Sequence, residues 1–153
     1  MNHLAGLLIG KYYRAKELGL ELVFDPACHV ETLPSSLSHN EWISIVGNLL
    51  DNAYNAALRQ PAGSKQIECL INSEGGEAIV EIADQGCGID ESLRDRIFER
   101  GVTSSDSGDH GIGLWLVRSY VEQAGGNIVV DDNIPFGTIF TLYIPLTRDE
   151  HHG

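Results

Sequence analysis

Ala78-Ile79-Val80-Glu81-Ile82-Ala83-Asp84-Gln85-Gly86-Cys87-Gly88 is the stretch on which the fold turns. Its first six residues alternate apolar and polar and are rich in branched side chains, the pattern of a strand with one buried face. The strand delivers Asp84 to its end, where a carboxylate leaves the sheet and can point into a cleft. Gly86 and Gly88 let the backbone turn sharply and leave no side chain beside the acid. A carboxylate flanked by bare backbone suits a flat, donor-bearing ring such as adenine. Further on, Gly111-Ile112-Gly113-Leu114 opens a run of helical period, whose free amides could meet phosphate oxygens.

Working outward, residues 66–72 and 77–83 form two strands joined by Glu74-Gly75-Gly76, a hairpin signature. Upstream, Trp42, Ile45, Val46, Leu49, Leu50, Ala53, Ala56 and Ala57 give a broad apolar face to a long helix over about residues 41–59. Ser38 and Asn40 are both suitable caps for it, and Pro61-Ala62-Gly63-Ser64 ends it. Leu20 to Phe24 alternates as a strand, and residues 25–39 read as loop. Downstream come a short helix near Glu91–Phe98, a polar stretch at 100–110 and a helix over about 112–124 ended by Gly125-Gly126. Two strands, 127–132 and 137–144, and a polar tail close the chain. Residues 2–18 carry Leu4, Leu7, Leu8 and Tyr12 at helical spacing with no capping residue, so this helix is expected to continue upstream or to pair with another helix.

A chain of 153 residues suits one domain with a sizeable core. The formal net charge of −12 argues against nucleic acid or an anionic membrane surface as partner, since no basic face can be assembled from ten Lys and Arg. It does not exclude a phosphate ligand, because local amides and a metal ion outweigh a distant acidic surface. No apolar run approaches the ~18 residues that span a bilayer. Cys28, Cys69 and Cys87 are widely separated and odd in number, with no metal spacing or disulfide framework. They read as small buried hydrophobes in a reducing compartment.

Individually the polar motifs are weak. Asn48 and Asn52, one turn apart on the long helix, share a face among apolar residues and could cap a loop or complete a magnesium shell. Asp84 alone could be a turn-former, and Gly111-x-Gly113 a plain loop-to-helix turn. No Walker A loop is present, and Gly111 does not follow a strand as a Rossmann fingerprint requires.

The joint order is specific. A helix with Asn48-x-x-x-Asn52-Ala53, a strand ending in DxGxG, Ile97-Phe98-Glu99, a polar loop and HGIGL opening a helix are the N, G1, F and G2 boxes of the GHKL ATP-binding superfamily. From about residue 16 to 146 the chain resembles the catalytic ATP-binding domain of a bacterial sensor histidine kinase. NLLDNAYNAA, IFERGVTS, HGIGLWLVRSYVEQAGG and FGTIFTLYIPL are similar to the citrate and dicarboxylate sensor kinases. Residues 1–18 resemble the end of that family's dimerisation helix and linker, 19–147 the catalytic domain and 148–153 a polar tail.

The resemblance implies an α/β two-layer sandwich of the Bergerat type, a mixed sheet of about five strands under three helices with a flexible ATP lid at about 99–110. It implies ATP and Mg²⁺ as cofactors. Asn52 would ligate the metal with Asn48 nearby, and both would serve catalysis. Asp84 would accept from the adenine amino group, Phe98 would anchor the lid, and Gly111 and Gly113 would hold the triphosphate. Implied nucleotide contacts fall on Asn52, Asn55, Asp84, Gly86, Gly88, Ile89, Phe98, Gly101, His110, Gly111, Ile112, Gly113, Leu114 and Thr138.

ATP-hydrolysing relatives such as gyrase carry a glutamate where Asn48 stands. A neutral amide takes up no proton at ordinary pH, which favours phosphoryl transfer over hydrolysis. Asn55 stands where many histidine kinases place a cation or tyrosine, leaving Arg59 and Arg100 as candidates for the γ-phosphate. None of the six histidines sits in an acceptor motif, so the phospho-acceptor is expected on an absent dimerisation domain, with a response regulator as the full protein's partner. The implied location is the cytoplasmic side of a membrane-anchored sensor, with no nucleic acid and no direct membrane contact by this chain. The alternatives are a stand-alone serine kinase of the anti-sigma-factor type and a non-enzymatic nucleotide-sensing module.

Overall fold

A computed structural model describes residues 3–29, 33–99 and 113–146. Five strands form one mixed sheet: β1 (Glu21–Phe24), β2 (Gln66–Glu74), β3 (Glu77–Asp84), β4 (Asn127–Asp132) and β5 (Thr138–Pro145). Their spatial order is β1-β2-β3-β5-β4, with β1 parallel to β2 and every other pairing antiparallel. Helices α1 (His3–Glu17), α2 (His39–Leu58) and α3 (Gly113–Gln123) complete the expected α/β two-layer architecture.

The alternation read from β3 holds across the sheet. Ile67, Cys69 and Ile71 of β2, Ala78, Val80 and Ile82 of β3, and Phe140, Leu142 and Ile144 of β5 are all buried on the helix side. Against them α2 lays Trp42, Ile45, Val46, Leu49, Leu50, Ala53 and Ala57. Burying a large apolar side chain is worth roughly 1.5–3 kcal/mol, so this interface carries most of the stability. Of the two candidate caps, Ser38 is the one used. Its Oγ accepts from the Glu41 N–H at 3.1 Å while the Glu41 carboxylate accepts from the Ser38 N–H at 2.8 Å, a reciprocal capping box.

Three expectations change in detail. The β2–β3 hairpin turns on two residues only, Gly75 and Gly76, both at positive φ, so each strand runs further than its alternation suggests. The segment expected as a short helix to Phe98 is a 3-10 helix over Glu91–Arg96, started by Asp90, whose carboxylate accepts from the Ser92 N–H and hydroxyl at 3.1 Å. The cysteines are not uniformly buried: Cys69 is, Cys28 is half-exposed and Cys87 is exposed.

Helix α1 pairs with α2. Leu4, Leu8 and Ala15 are buried, Leu7 lies over Gly47, and the Tyr54 hydroxyl donates to the Lys11 carbonyl at 2.8 Å. Lys11 Nζ also meets Asp51 at 2.6 Å. Ile9 and Tyr13 face outward, 55% and 60% exposed, so the apolar content of α1 is larger than α2 alone covers.

Candidate nucleotide-binding site

The site lies where the end of β3, the C-terminal half of α2, the head of α3 and the start of β5 meet. Asp84 is the last residue of β3 and pairs with Thr138, the first of β5. Both are buried on the helix side, at 1% and 3% exposure. Asp84 Oδ1 accepts from the Gly86 N–H at 2.8 Å, and the Thr138 N–H adds a second backbone bond to the carboxylate. Burial outweighs both and pushes the carboxyl up to about 6 from its ordinary 3.8. Asp84 Oδ2 is buried and has no hydrogen-bond partner among the described residues. An orphaned acceptor of this kind costs free energy until a donor arrives, and the exocyclic amino group of adenine is such a donor.

Glycines clear the surroundings of this acid by necessity. A Cβ on Gly86 would stand 2.3 Å from the carbonyl carbon of Ala56 and 2.4 Å from its oxygen. The loop is therefore pressed directly onto the last turn of α2, and the Cys87 N–H donates to that same Ala56 carbonyl at 3.1 Å. Gly137 has φ +114°, and a Cβ there would lie 2.1 Å from the Asp84 carbonyl oxygen.

Asn48 Nδ2 donates to the Ser44 carbonyl at 2.7 Å and to its hydroxyl at 3.2 Å. This fixes the amide so that Oδ1 faces α3: a Cβ on Gly113 would come within 2.8 Å of it. The helix head and the amide are thus brought together as the motif order implies. Asn52 and Asn55 follow at four and seven residues, both half-buried, and extend one polar stripe along α2. Phe98 packs edge-to-face on Phe140 with ring centroids 6.2 Å apart, and the Arg118 guanidinium stands 5.9 Å from the Phe98 centroid. Ile89 and Leu114 pack partly buried against the core. Arg59 caps the C-terminal end of α2, beyond Asn55. Gly101, His110, Gly111, Ile112 and Arg100, with the lid after Glu99, lie outside the described residues.

Sequence reading passed over Asn133 and Ala56. The Asn133 amide donates to the Asp84 carbonyl at 2.8 Å while its N–H bonds the Gly137 carbonyl at 3.0 Å, locking the strand end that presents the acid. An asparagine directly after a strand was the available signal. Ala56 acts through its carbonyl alone, for which no residue type is diagnostic.

A buried, unsatisfied acceptor under bare backbone, with a row of helix-borne amides opposite, is the layout of an ATP-binding α/β domain. The sequence pattern described as "Histidine kinase-, DNA gyrase B-, and HSP90-like ATPase" matches residues 39–148, and the chain belongs to that family. It is 88% identical over 152 residues to the sensor histidine kinase CitA of Klebsiella pneumoniae, covering 99% of this chain and 28% of that protein. It is 51% identical over 149 residues to the sensor histidine kinase DpiB of Escherichia coli, covering 96% and 27%. Among solved structures, the mycobacterial sensor histidine kinase MprB superposes with a TM-score of 0.69 at 25% identity, covering 93% of each chain. The chain thus spans a little over a quarter of the length of these curated relatives. It corresponds to their catalytic ATP-binding domain.

Proposed function

We propose that this domain binds Mg²⁺-ATP and donates the γ-phosphoryl group to a histidine on a dimerisation domain of the parent kinase, which then serves a response regulator. The observation that carries the reading is the orphaned Asp84 Oδ2, buried beside backbone that Gly86 and Gly137 keep bare. Asp84 accepts from the adenine amino group, and Thr138 closes the floor beside it. The Asn48 and Asn52 oxygens are neutral, hard donors suited to a magnesium ion that keeps waters and phosphate oxygens for its other positions. Magnesium, when bound, supplies charge neutralisation at the phosphates.

Asn48, held by Ser44, offers an oxygen and no basic nitrogen, so it orients without activating water. Gly113 lets phosphate oxygens approach the head of α3, where Gly111, Ile112 and Leu114 add backbone amides, and Phe98 anchors the lid that carries Gly101 and His110. Asn55 extends the amide row toward the phosphates. Transfer then rests on positioning and electrostatics rather than on covalent chemistry by the protein.

The two relatives, sensor histidine kinases at 88% and 51% identity, support a histidine acceptor over the serine-kinase alternative. The parent in this reading is a membrane-anchored sensor of the citrate and dicarboxylate class, with residues 1–18 entering from its dimerisation helix. No helix of the described residues is long and apolar enough to cross a membrane. Calorimetric titration with ATP, in magnesium and then in excess chelator, tests the reading. Magnesium-dependent binding without steady phosphate release, followed by phosphotransfer to the parent's dimerisation domain, is the expected result. Steady hydrolysis would overturn the role of Asn48, and absent binding would overturn the site.

A further inference from the structure

Strands β3 and β4 lie on either side of β5 and do not pair. One side chain nevertheless joins their ends: Asn133, directly after β4, reaches past the start of β5 and donates through Nδ2 to the Asp84 carbonyl at 2.8 Å. The same side chain accepts from the Ile134 N–H at 2.8 Å, and the Asn133 N–H bonds the Gly137 carbonyl at 3.0 Å. A single amide thus closes the turn over 133–137 and ties it to the strand end. The turn also bears on the next residue, since a Cβ on Gly137 would stand 2.7 Å from the Gln85 Cα. From the loop after α2, a Cβ on Gly63 would stand 2.0 Å from the Gln85 carbonyl oxygen and 3.1 Å from the Phe136 ring. Asp84 and Gln85 are therefore clamped between two segments that are distant in sequence.

Asn133 acts from outside the nucleotide site. With Glu68, Glu81, Ala83 and Ile139 it lines a cavity of about 240 Å³. By the alternation of β2, β3 and β5 those four residues lie on the sheet face turned away from the helices, whereas the Asp84 side chain is buried on the helix side. From this arrangement we infer that Asn133 is the positioning residue for adenine recognition: it fixes the Asp84 peptide so that Oδ2 meets the exocyclic amino group, and so sets the preference for a purine bearing that group without touching the nucleotide. The inference rests on the assignment of Asp84 to adenine. A hydrogen bond weakens steeply as its donor and acceptor lose alignment, and a carboxylate at the last ladder position of a strand keeps its direction only while its backbone is held from behind.

Calorimetric titration with ATP and with purine riboside triphosphate, which keeps the ring and phosphates but lacks the amino group, reads this role. Asn133→Ala should weaken ATP binding about 2- to 10-fold, the worth of one neutral hydrogen bond, and leave binding of the analogue nearly unchanged. Asn133→Asp keeps the acceptor for the Ile134 N–H and loses the donor to Asp84; it should give the same split, and it carries the test where Asn133→Ala loses its cooperative melt. In an Asp84→Asn background, Asn133→Ala should cost ATP binding nothing further, because the two changes remove one interaction. Asn133 variants that bind ATP as the parent does, that weaken ATP and the analogue equally, or that add fully to Asp84→Asn overturn the positioning role while the adenine site stands. ATP binding unchanged by Asp84→Asn alone would remove the site reading first, and this inference with it.

Discussion

Asp84→Asn separates the two effects that meet at this carboxylate. In the nucleotide-free protein the charge is a burden: a rise from 3.8 to about 6 corresponds to about 3 kcal/mol of disfavoured ionisation at neutral pH. Because the folded protein binds this proton more tightly than the unfolded chain, that cost is absent below about pH 4. It grows as pH rises toward 6 and is fully present above it. Asparagine keeps one oxygen for the Gly86 and Thr138 N–H groups and removes the charge, so Tm at pH 7.5 should rise by up to about 6–12 °C, at roughly 2–4 °C per kcal/mol for a chain of this size. The same change turns a donor-seeking oxygen into an N–H at the Oδ2 position, opposite the adenine amino group. Losing a hydrogen bond to a charged acceptor costs roughly 1.5–3 kcal/mol, which is about 10- to 150-fold in ATP affinity. Guanine presents a carbonyl where adenine presents an amino group, so the preference for ATP over GTP should narrow. Calorimetry with both nucleotides, beside thermal melts, reads all three effects. An asparagine variant that melts cooperatively and binds ATP as the parent does would refute the assignment of Asp84 to adenine.

ATP affinity should fall as pH drops through about 6 while Asp84 gains its proton, and since ATP's own phosphate titrates nearby, the difference from the Asp84→Asn profile, which carries the phosphate titration alone, is the measured quantity. Gly86→Ala forces a Cβ into the Ala56 backbone at 2.3 Å; it should destabilise by at least the ~1–3 kcal/mol of ordinary overpacking and abolish nucleotide binding, and an unchanged melt with unchanged affinity would contradict the close packing. Removing magnesium with chelator should weaken ATP binding at least about tenfold, a 1.4 kcal/mol effect, and Asn52→Ala should flatten that difference; equal magnesium dependence in the variant would remove Asn52 from the metal site. Tyr54→Phe should cost about 1 kcal/mol and reduce hydrogen-exchange protection in α1, through loss of the bond to the Lys11 carbonyl; protection identical to the parent would mean that α1 is held by its leucines alone.

The parts of the molecule legible in sequence are those whose signal is local. The alternation of β3 places its apolar residues inward and delivers Asp84 to the strand end, and the spacing of Asn48 and Asn52 puts both amides on one stripe of α2. The 3-10 helix escaped because an Asp-capped polar turn carries the same residues as the first turn of an α-helix. The contacts that finish the site join distant positions: Asn133 reaches back 49 residues to the Asp84 carbonyl, and Gly86 rests on Ala56 through backbone atoms that no side chain advertises.

Helix α2 also shows why the helix before the first strand bears on the nucleotide site. The contacts made by α1 fall at Gly47, Asp51 and Tyr54, through Leu7, Lys11 Nζ and the Lys11 carbonyl respectively. The amide row falls at Asn48, Asn52 and Asn55, one residue further at each step. At about 100° per residue these are adjacent stripes on a single rigid cylinder, so α1 and the amide row grip the same turns from neighbouring sides. A rotation or shift of α1 that drew Asp51 with Lys11 would turn Asn52 by the same angle, and the Asn48 oxygen would move relative to Gly113, whose missing side chain leaves only a close gap. The surface pair itself is worth at most about 1 kcal/mol with Asp51 57% exposed. Energetic coupling therefore resides in the buried Leu4, Leu8 and Ala15 contacts, and the ion pair and hydroxyl bond fix the register in which those contacts are made.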